Sequence, residues 1–152
     1  MPDRPHYVDL LNDIRLQESR AGGYLEAWAN TTTNEELKEC LSMVAAREYS
    51  HGDIFDRRVK ELGFETSEVA DPEFAEKVRV VTSDVTDAEK IAWLKEARLR
   101  QPSPTVRERY EAATNDESVD PLTRSLLRWF TDVENDSVVR MGEVYGKIEN
   151  GG

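Results

Sequence analysis

The chain has almost no cysteine: Cys40 is the only one among 152 residues. A single cysteine cannot form a disulfide within the chain, and it excludes a zinc site built from Cys-x-x-Cys pairs. Arg47 is the only basic residue near its helix face, so we expect Cys40 to be a small buried hydrophobic side chain rather than a reactive thiol.

Long apolar runs and basic clusters are also missing. No segment approaches the ~20 apolar residues that a membrane span needs, and the first residues, MPDRPHYVDLLND, lack the apolar core of a signal peptide. The net charge of −11 argues against nucleic acid or an anionic membrane surface as the main partner. We therefore expect a cytoplasmic protein that forms one domain over residues 1–152.

Helical periodicity is present in every long segment, and no strand pattern competes with it. Pro102 and Pro104 must break the third long helix, because each lacks an N–H and clashes with the preceding turn. The pattern predicts an all-α, antiparallel four-helix bundle, with one long crossover that contains a short helix. Caps and breakers place the helices at about residues 6–30, 35–62, 72–81, 87–100, 105–114 and 121–148.

Two glutamates and a histidine interrupt the apolar stripes of the first two helices. The stripes are Tyr7, Leu11, Ile14, Glu18, Ala21, Leu25, Trp28 and Leu37, Leu41, Val44, Glu48, His51, Phe55, Leu62. Glu18 and Glu48 each lie 15 residues from the turn near residue 33, so they are expected at the same depth. A carboxylate in an apolar interior must shift its pKa, find a partner or bind a metal.

The layout and these residues resemble the ferritin-like superfamily, and its rubrerythrin and bacterioferritin type in particular. In that family, one glutamate from each of two helices and a Glu-x-x-His pair from each of the other two hold two iron or manganese ions. Glu18 resembles the first glutamate, and Glu48-Tyr49-Ser50-His51 resembles the first Glu-x-x-His pair. The motif-level resemblance covers residues 7–62.

The second half departs from this family pattern. Glu134 lies on the stripe of the last helix, although that stripe could instead centre on Val133 and Ser137. Ser137 stands where the family has histidine, and serine is a poor ligand for a divalent ion. The position that mirrors Glu134 on the third helix is Pro102, and only a kink could bring Glu96 inward instead.

The resemblance implies a reduced metal site formed by Glu18, Glu48, His51 and Glu134, which holds one iron, manganese or zinc ion per chain. One hypothesis is an enzyme that handles oxygen or peroxide with iron or manganese. The alternative is a non-catalytic structural or interaction module whose metal site is lost. Three tryptophans and the Gly22-Gly23 pair favour a homodimer in either case.

Overall fold

Six α-helices and no strand make up the structure, a computed structural model that describes residues 3–151. The predicted all-α class is confirmed. Residues 1, 2 and 152 of the expected domain lie outside the described part. The helices are α1 (Val8–Ala29), α2 (Glu35–Glu61), α3 (Pro72–Val81), α4 (Asp87–Leu99), α5 (Val106–Thr114) and α6 (Pro121–Glu149).

Side-chain caps explain where most of these helices begin. Asn34 accepts a hydrogen bond from the amide of Leu37 at the start of α2, which satisfies one of the unpaired N–H groups of the first turn. Thr86 and Glu89 form a reciprocal capping box at the start of α4. The short helix expected near residues 72–81 and the break between α4 and α5 are both present, and the break contains the two predicted prolines.

Helices α1 and α2 form the most extensive interface, and they run antiparallel. As the residue numbers increase along α1, those of the residues contacted on α2 decrease: Arg15 contacts Asp56, and Gly22 contacts Tyr49. A Cβ on Gly22 would lie 2.9 Å from the Tyr49 ring, so glycine is what permits this close approach. The neighbouring glycine, Gly23, faces Phe74 of α3. Tight packing therefore explains the Gly-Gly pair.

The remaining helices surround this pair unevenly. α6 packs against α2, α4 and α5, while α3 and α5 both contact α1. Within the described residues, no Cα atom of α4 lies within 8 Å of a Cα atom of α1 or α2. The first half of α4 approaches through side chains: Ile91 is buried in a core cluster with Leu25 of α1 and Leu41 of α2, and Trp28 donates a hydrogen bond from Nε1 to Asp87 at 2.8 Å. The chain thus leaves space between the second half of α4 and the α1–α2 pair.

The hydrophobic core has two parts. A lower cluster joins the start of α1 to the end of α2 and the first half of α6, with Ile14, Phe55 and Phe130 at its centre. An upper cluster joins the end of α1 to the start of α2, and it includes Trp28 and Leu41. On α1, α2 and α6 the predicted site residues fall in sequence between the segments that form the two clusters. The candidate site is therefore a polar layer between two apolar ones.

The surface gives less support to a dimer than the composition implied. Trp28 is fully buried in the upper cluster, Trp93 is half-buried and Trp129 is exposed. The Gly-Gly pair is used inside the chain, as described above. Across residues 3–151, none of the helices combines the length and the apolar character needed to cross a membrane.

The first prediction concerns Asp120, which joins the start of α6 to the lower cluster. Its carboxylate accepts hydrogen bonds from the Thr123 amide (2.9 Å), the Tyr7 hydroxyl (2.7 Å) and the Arg58 guanidinium (2.9 Å). Partial burial opposes ionisation, but these contacts outweigh it and hold the pKa of Asp120 well below its usual range. The stabilisation is present above the unfolded pKa of about 3.9 and is lost as the pH falls through the folded value.

Replacement of Asp120 with asparagine should therefore lower the free energy of unfolding by about 1–3 kcal/mol at pH 7. The deficit should shrink as the pH falls below about 4. Urea unfolding at a series of pH values measures this. The control is Asp132→Asn, an exposed position on the same helix. A deficit of equal size at pH 7 and pH 3 would contradict the assignment.

Candidate metal centre

The four predicted ligands come together in the polar layer. Glu18 of α1, Glu48 and His51 of α2 and Glu134 of α6 each offer one ligand atom, and these atoms lie within 4.8 Å of one another. The Nδ1 atom of His51 lies 3.2 Å from a Glu18 oxygen and 3.4 Å from a Glu134 oxygen. Glu18, Glu48 and His51 are buried, and Glu134 is 17% exposed. Nδ1 is thus the ring nitrogen that faces the carboxylates.

The pKa values of the carboxyl groups in this layer are shifted in opposite directions. Burial raises the pKa of Glu48 far above its usual range, and the neighbouring Glu18 and Glu134 carboxyls raise it further. Burial likewise raises the pKa of Glu18. Glu134 is also penalised by burial, but contacts with His51, Glu48 and Glu18 outweigh this penalty and lower its pKa. In the absence of a cation, Glu48 therefore retains its proton at neutral pH, and burial favours the neutral form of Glu18 as well.

Aromatic side chains fix the orientation of the His51 ring. Trp129 and Phe130 of α6 pack edge-to-face against it, with ring centroids at 5.0 and 4.9 Å. Such contacts restrict the ring to one plane, with Nδ1 directed at Glu18 and Glu134. Sequence reasoning did not find this role of Trp129, although its position five residues before Glu134 places it on the same helix near the stripe.

Ser137 is buried, and its neighbour is an arginine. Its hydroxyl accepts a hydrogen bond from Arg47 at 3.0 Å, and the same guanidinium pairs with Asp136 at 2.8 Å. The side of the layer where a second histidine would complete the family pattern therefore holds a positive charge. The sequence analysis had identified the missing histidine but not the arginine beside the serine.

The third long helix contributes no carboxylate. Glu96 is exposed and belongs to no group of converging ligands in the described chain. The break does not bring it inward, because α4 ends at Leu99, after Glu96. Pro102 lies in the exposed break, so the position expected to mirror Glu134 is not helical. The acidic layer contains three carboxyl groups.

A large cavity opens against this layer. Its volume is about 890 Å³, and Glu18, Glu48 and Glu134 are part of its wall. It lies where α4 stands away from α1 and α2, and residues at the break, such as Gln101 and Thr105, line it. Sequence reasoning did not predict the cavity. The signal for it was the absence of a helical residue at position 102, which leaves one side of the layer uncovered.

Comparisons with known proteins do not identify the chain. No family model, curated protein or solved structure matches it. The resemblance to the ferritin-like superfamily thus depends on the residues and their spacing. What the arrangement does chemically has to be argued from its own geometry.

The second prediction tests the energetic cost of this layer in chelator-treated protein. The pKa of Glu48 is higher in the folded state than in the unfolded state, where it is about 4.3. Glu48 therefore lowers the free energy of unfolding as the pH rises above about 4.3. Glutamine has nearly the same shape and cannot ionise. The free energy of unfolding of the Glu48→Gln variant should therefore be about 1–4 kcal/mol higher than that of the parent protein at pH 7, and this difference should grow between pH 5 and pH 8.

Thermal unfolding monitored by circular dichroism measures this difference. Glu39→Gln, an exposed glutamate on α2, is the matched control and should show no such trend. If Glu48→Gln were less stable than the parent at every pH, Glu48 would instead make a favourable ionised contact.

Proposed function

We propose that the protein is a ferritin-like metal-binding protein that holds one divalent transition metal ion in its core. The ligands are Glu18, Glu48, His51 and Glu134, and the metal is iron, with manganese or zinc as alternatives of the same ligand preference. The observation that carries the proposal is the convergence within 4.8 Å of three carboxyl groups, two buried and one partly buried, and one buried imidazole.

The donor set fits such an ion. One oxygen of Glu134 is buried and forms no hydrogen bond of good geometry in the described chain; Nδ1 of His51 lies 3.4 Å from it but is closer to Glu18, at 3.2 Å. An orphaned acceptor of this kind costs about 1–3 kcal/mol unless a cation or water satisfies it. Donors on opposite sides of an ion at about 2.1 Å lie roughly 4 Å apart. A separation of 4.8 Å therefore requires only a small inward movement of the side chains.

The helix arrangement supports the ferritin-like part of the proposal. In chain order, α1, α2 and α6 would be the first, second and fourth helices of the bundle. α4 and α5 together would be its third helix, which is broken. The crossover with α3 then connects the two helix pairs, as in bundles with one long connection. α6 runs antiparallel to α2, because Arg47 contacts Asp136 whereas Arg58 contacts Thr123.

The surroundings favour one ion over two. A second ion needs further donors, but Ser137 replaces a histidine and no fourth carboxylate is present among the converging residues. Arg47 places a positive charge beside Ser137, and that charge repels a second cation. One dication and three carboxylates leave a residual negative charge that Arg47 helps to balance.

The chemistry follows from the metal and from the wall of the cavity. Bound iron or manganese would supply electron transfer to oxygen or peroxide, whereas zinc would supply a Lewis acid only. Glu18, Glu48 and Glu134 must lose protons to bind a metal, so affinity should rise with pH. Because the same three side chains line the cavity, a molecule inside it can approach the metal ligands directly.

The third prediction is that the protein purified without added metal contains, or takes up on titration, one transition metal ion per chain. Elemental analysis and calorimetric titration with ferrous ion measure the number. Metal at about 100 times its dissociation constant should stabilise the folded state by roughly 2.7 kcal/mol. The Glu48→Ala variant should lose metal binding but keep its helices, because removal of a buried acid relieves repulsion.

Glu39→Ala, at an exposed position on the same helix, should bind metal as the parent does. Consumption of peroxide by the iron-loaded parent, absent in Glu48→Ala, would add a catalytic role. If the parent takes up no metal and its unfolding is unchanged by iron, the proposal fails, and the non-catalytic structural module is then the better reading.

The fourth prediction is self-association. Leu122 and Trp129 lie two turns apart on one face of α6 and are 53% and 41% exposed, and such a pair of exposed apolar side chains favours a dimer. Sedimentation at micromolar concentration should show a species of about twice the 17.4 kDa chain mass. Trp129→Gln should weaken it, and a parent protein that sediments only as 17.4 kDa would exclude the dimer.

A further inference from the structure

The cavity beside the acidic layer is much larger than oxygen or peroxide requires. Its volume is about 890 Å³, whereas a water molecule in the liquid occupies about 30 Å³. Pockets of about 300–1,000 Å³ are typical of sites for organic molecules of drug size. The volume alone therefore indicates an organic occupant rather than a small gas or peroxide.

The cavity wall is far less acidic than the protein as a whole, because it carries five cationic and five acidic residues, and three of those acids are the glutamates of the acidic layer. Apart from the three glutamates of the acidic layer, its wall contains five cationic residues and two acidic ones, Asp13 and Asp71, which gives a local charge of +3. The protein as a whole carries −11. The cationic residues are Arg20, Lys77, Lys95, Arg98 and Arg107.

Three of these cations are not neutralised by a carboxylate within residues 3–151. Arg20 of α1 donates a hydrogen bond to the carbonyl of Val69, and Lys77 of α3 lies 5.5 Å from the centre of the Tyr24 ring. Arg98 of α4 is exposed and forms no ion pair in the described part of the chain. Three helices thus direct free positive charge toward one cavity, which is a feature of anion-binding sites.

Aromatic rings form part of the wall. Tyr24, Phe74, Tyr110 and Tyr145 line the cavity. Burial, together with the nearby Glu48, raises the pKa of Tyr24 to about 12, so the phenol stays neutral. Lys77 lies 5.5 Å from the centre of the Tyr24 ring, and Arg98 lines the same cavity as Tyr24 and Tyr145. Neutral aromatic rings next to a cation suit a flat apolar body with an anionic end.

We propose that the cavity binds an organic anion with an aromatic body, whose carboxylate is held by Arg98 and Lys77 and whose ring lies among the tyrosines toward the acidic layer. Exposed Arg98 marks the solvent side of the cavity and buried Glu48 marks its floor, so the anionic end stays away from the glutamates. Binding does not require the metal. The role of this molecule as a substrate or a regulator of the metal centre rests on the proposed function.

The fifth prediction uses 2-naphthoate as the probe and 2-naphthalenemethanol as its uncharged counterpart. In calorimetric titration of the chelator-treated protein, naphthoate should bind about tenfold more tightly than the alcohol, which corresponds to roughly 1.4 kcal/mol. The Arg98→Gln/Lys77→Gln variant should weaken naphthoate binding about tenfold and leave the alcohol unchanged. The control is Arg57→Gln/Arg79→Gln, which removes two exposed cations that do not line the cavity.

A second pair of variants tests the location. Gly142 lines the cavity, and a Cβ there would meet no atom within 4 Å, so Gly142→Phe should fill the space without a clash. It should abolish binding of both probes. Gly146 on the same helix has equally open surroundings but does not line the cavity. Gly146→Phe should therefore bind both probes normally, and it controls for the stability of the helix.

Several results would overturn the proposal. Equal affinity for the acid and the alcohol would exclude selection of an anion, and unchanged affinity in Gly142→Phe would place the probe elsewhere. Binding of naphthoate only after metal loading would make the metal, rather than Arg98 and Lys77, the anion site. If sedimentation showed that the probe dissociates a dimer into single chains, a second copy of the chain would be the occupant of the cavity. Metal uptake is measured in a separate experiment, so a failure of naphthoate binding can be distinguished from a failure of metal binding.

Discussion

Burial of three carboxyl groups in one layer is the constraint on which the rest of the structure depends. Glu18, Glu48 and Glu134 lie between two apolar clusters, where ionised groups that lack a partner would be costly. The layer meets this cost by retention of protons and by contact with His51. The same properties make it a candidate site, because a cation can take the place of those protons. Stability and metal affinity are therefore opposed at Glu48.

The two halves of the chain contribute unequally to this layer. α1 and α2 approach closely, because Gly22 admits the ring of Tyr49, and together they supply three of the four ligands. The second half supplies only Glu134, and beside it Arg47 and Ser137 occupy the region where a symmetrical site would continue. An arginine in that place balances negative charge without a second metal. The site is thus asymmetric both in its donors and in its electrostatics.

The break between α4 and α5 connects the site to the outside. α4 ends before Pro102, its Cα atoms stay more than 8 Å from those of α1 and α2 in the described chain, and residues at the break line the cavity. The floor of this cavity is acidic, and its outer wall is basic and aromatic. A proline-rich segment in the sequence is therefore the local cause of an open space that has a definite charge pattern.

Much of the local structure follows from the sequence, because its causes are local. Apolar spacing, the caps at Asn34 and Thr86 and the two prolines predicted six helices and the break, since each acts within a few residues of its own position. The acids at Glu18, Glu48 and Glu134 were identified because a charge on an apolar stripe is unusual. The expectation that a kink might bring Glu96 inward was wrong, since α4 ends after it and leaves it exposed.

By itself, the sequence determined the helices, their buried faces and the residue types that those faces carry toward the core. Only the tertiary structure decided that Arg47 lies against Ser137, that Trp129 and Phe130 orient His51, and that Arg20, Lys77 and Arg98 surround one cavity. The contacts with Ser137 and His51 join residues far apart in the sequence: 90 positions separate Arg47 from Ser137, and His51 and Trp129 lie on different helices. Their meeting depends on how the helices pack against one another, and helix periodicity contains no information about the distance between two helices.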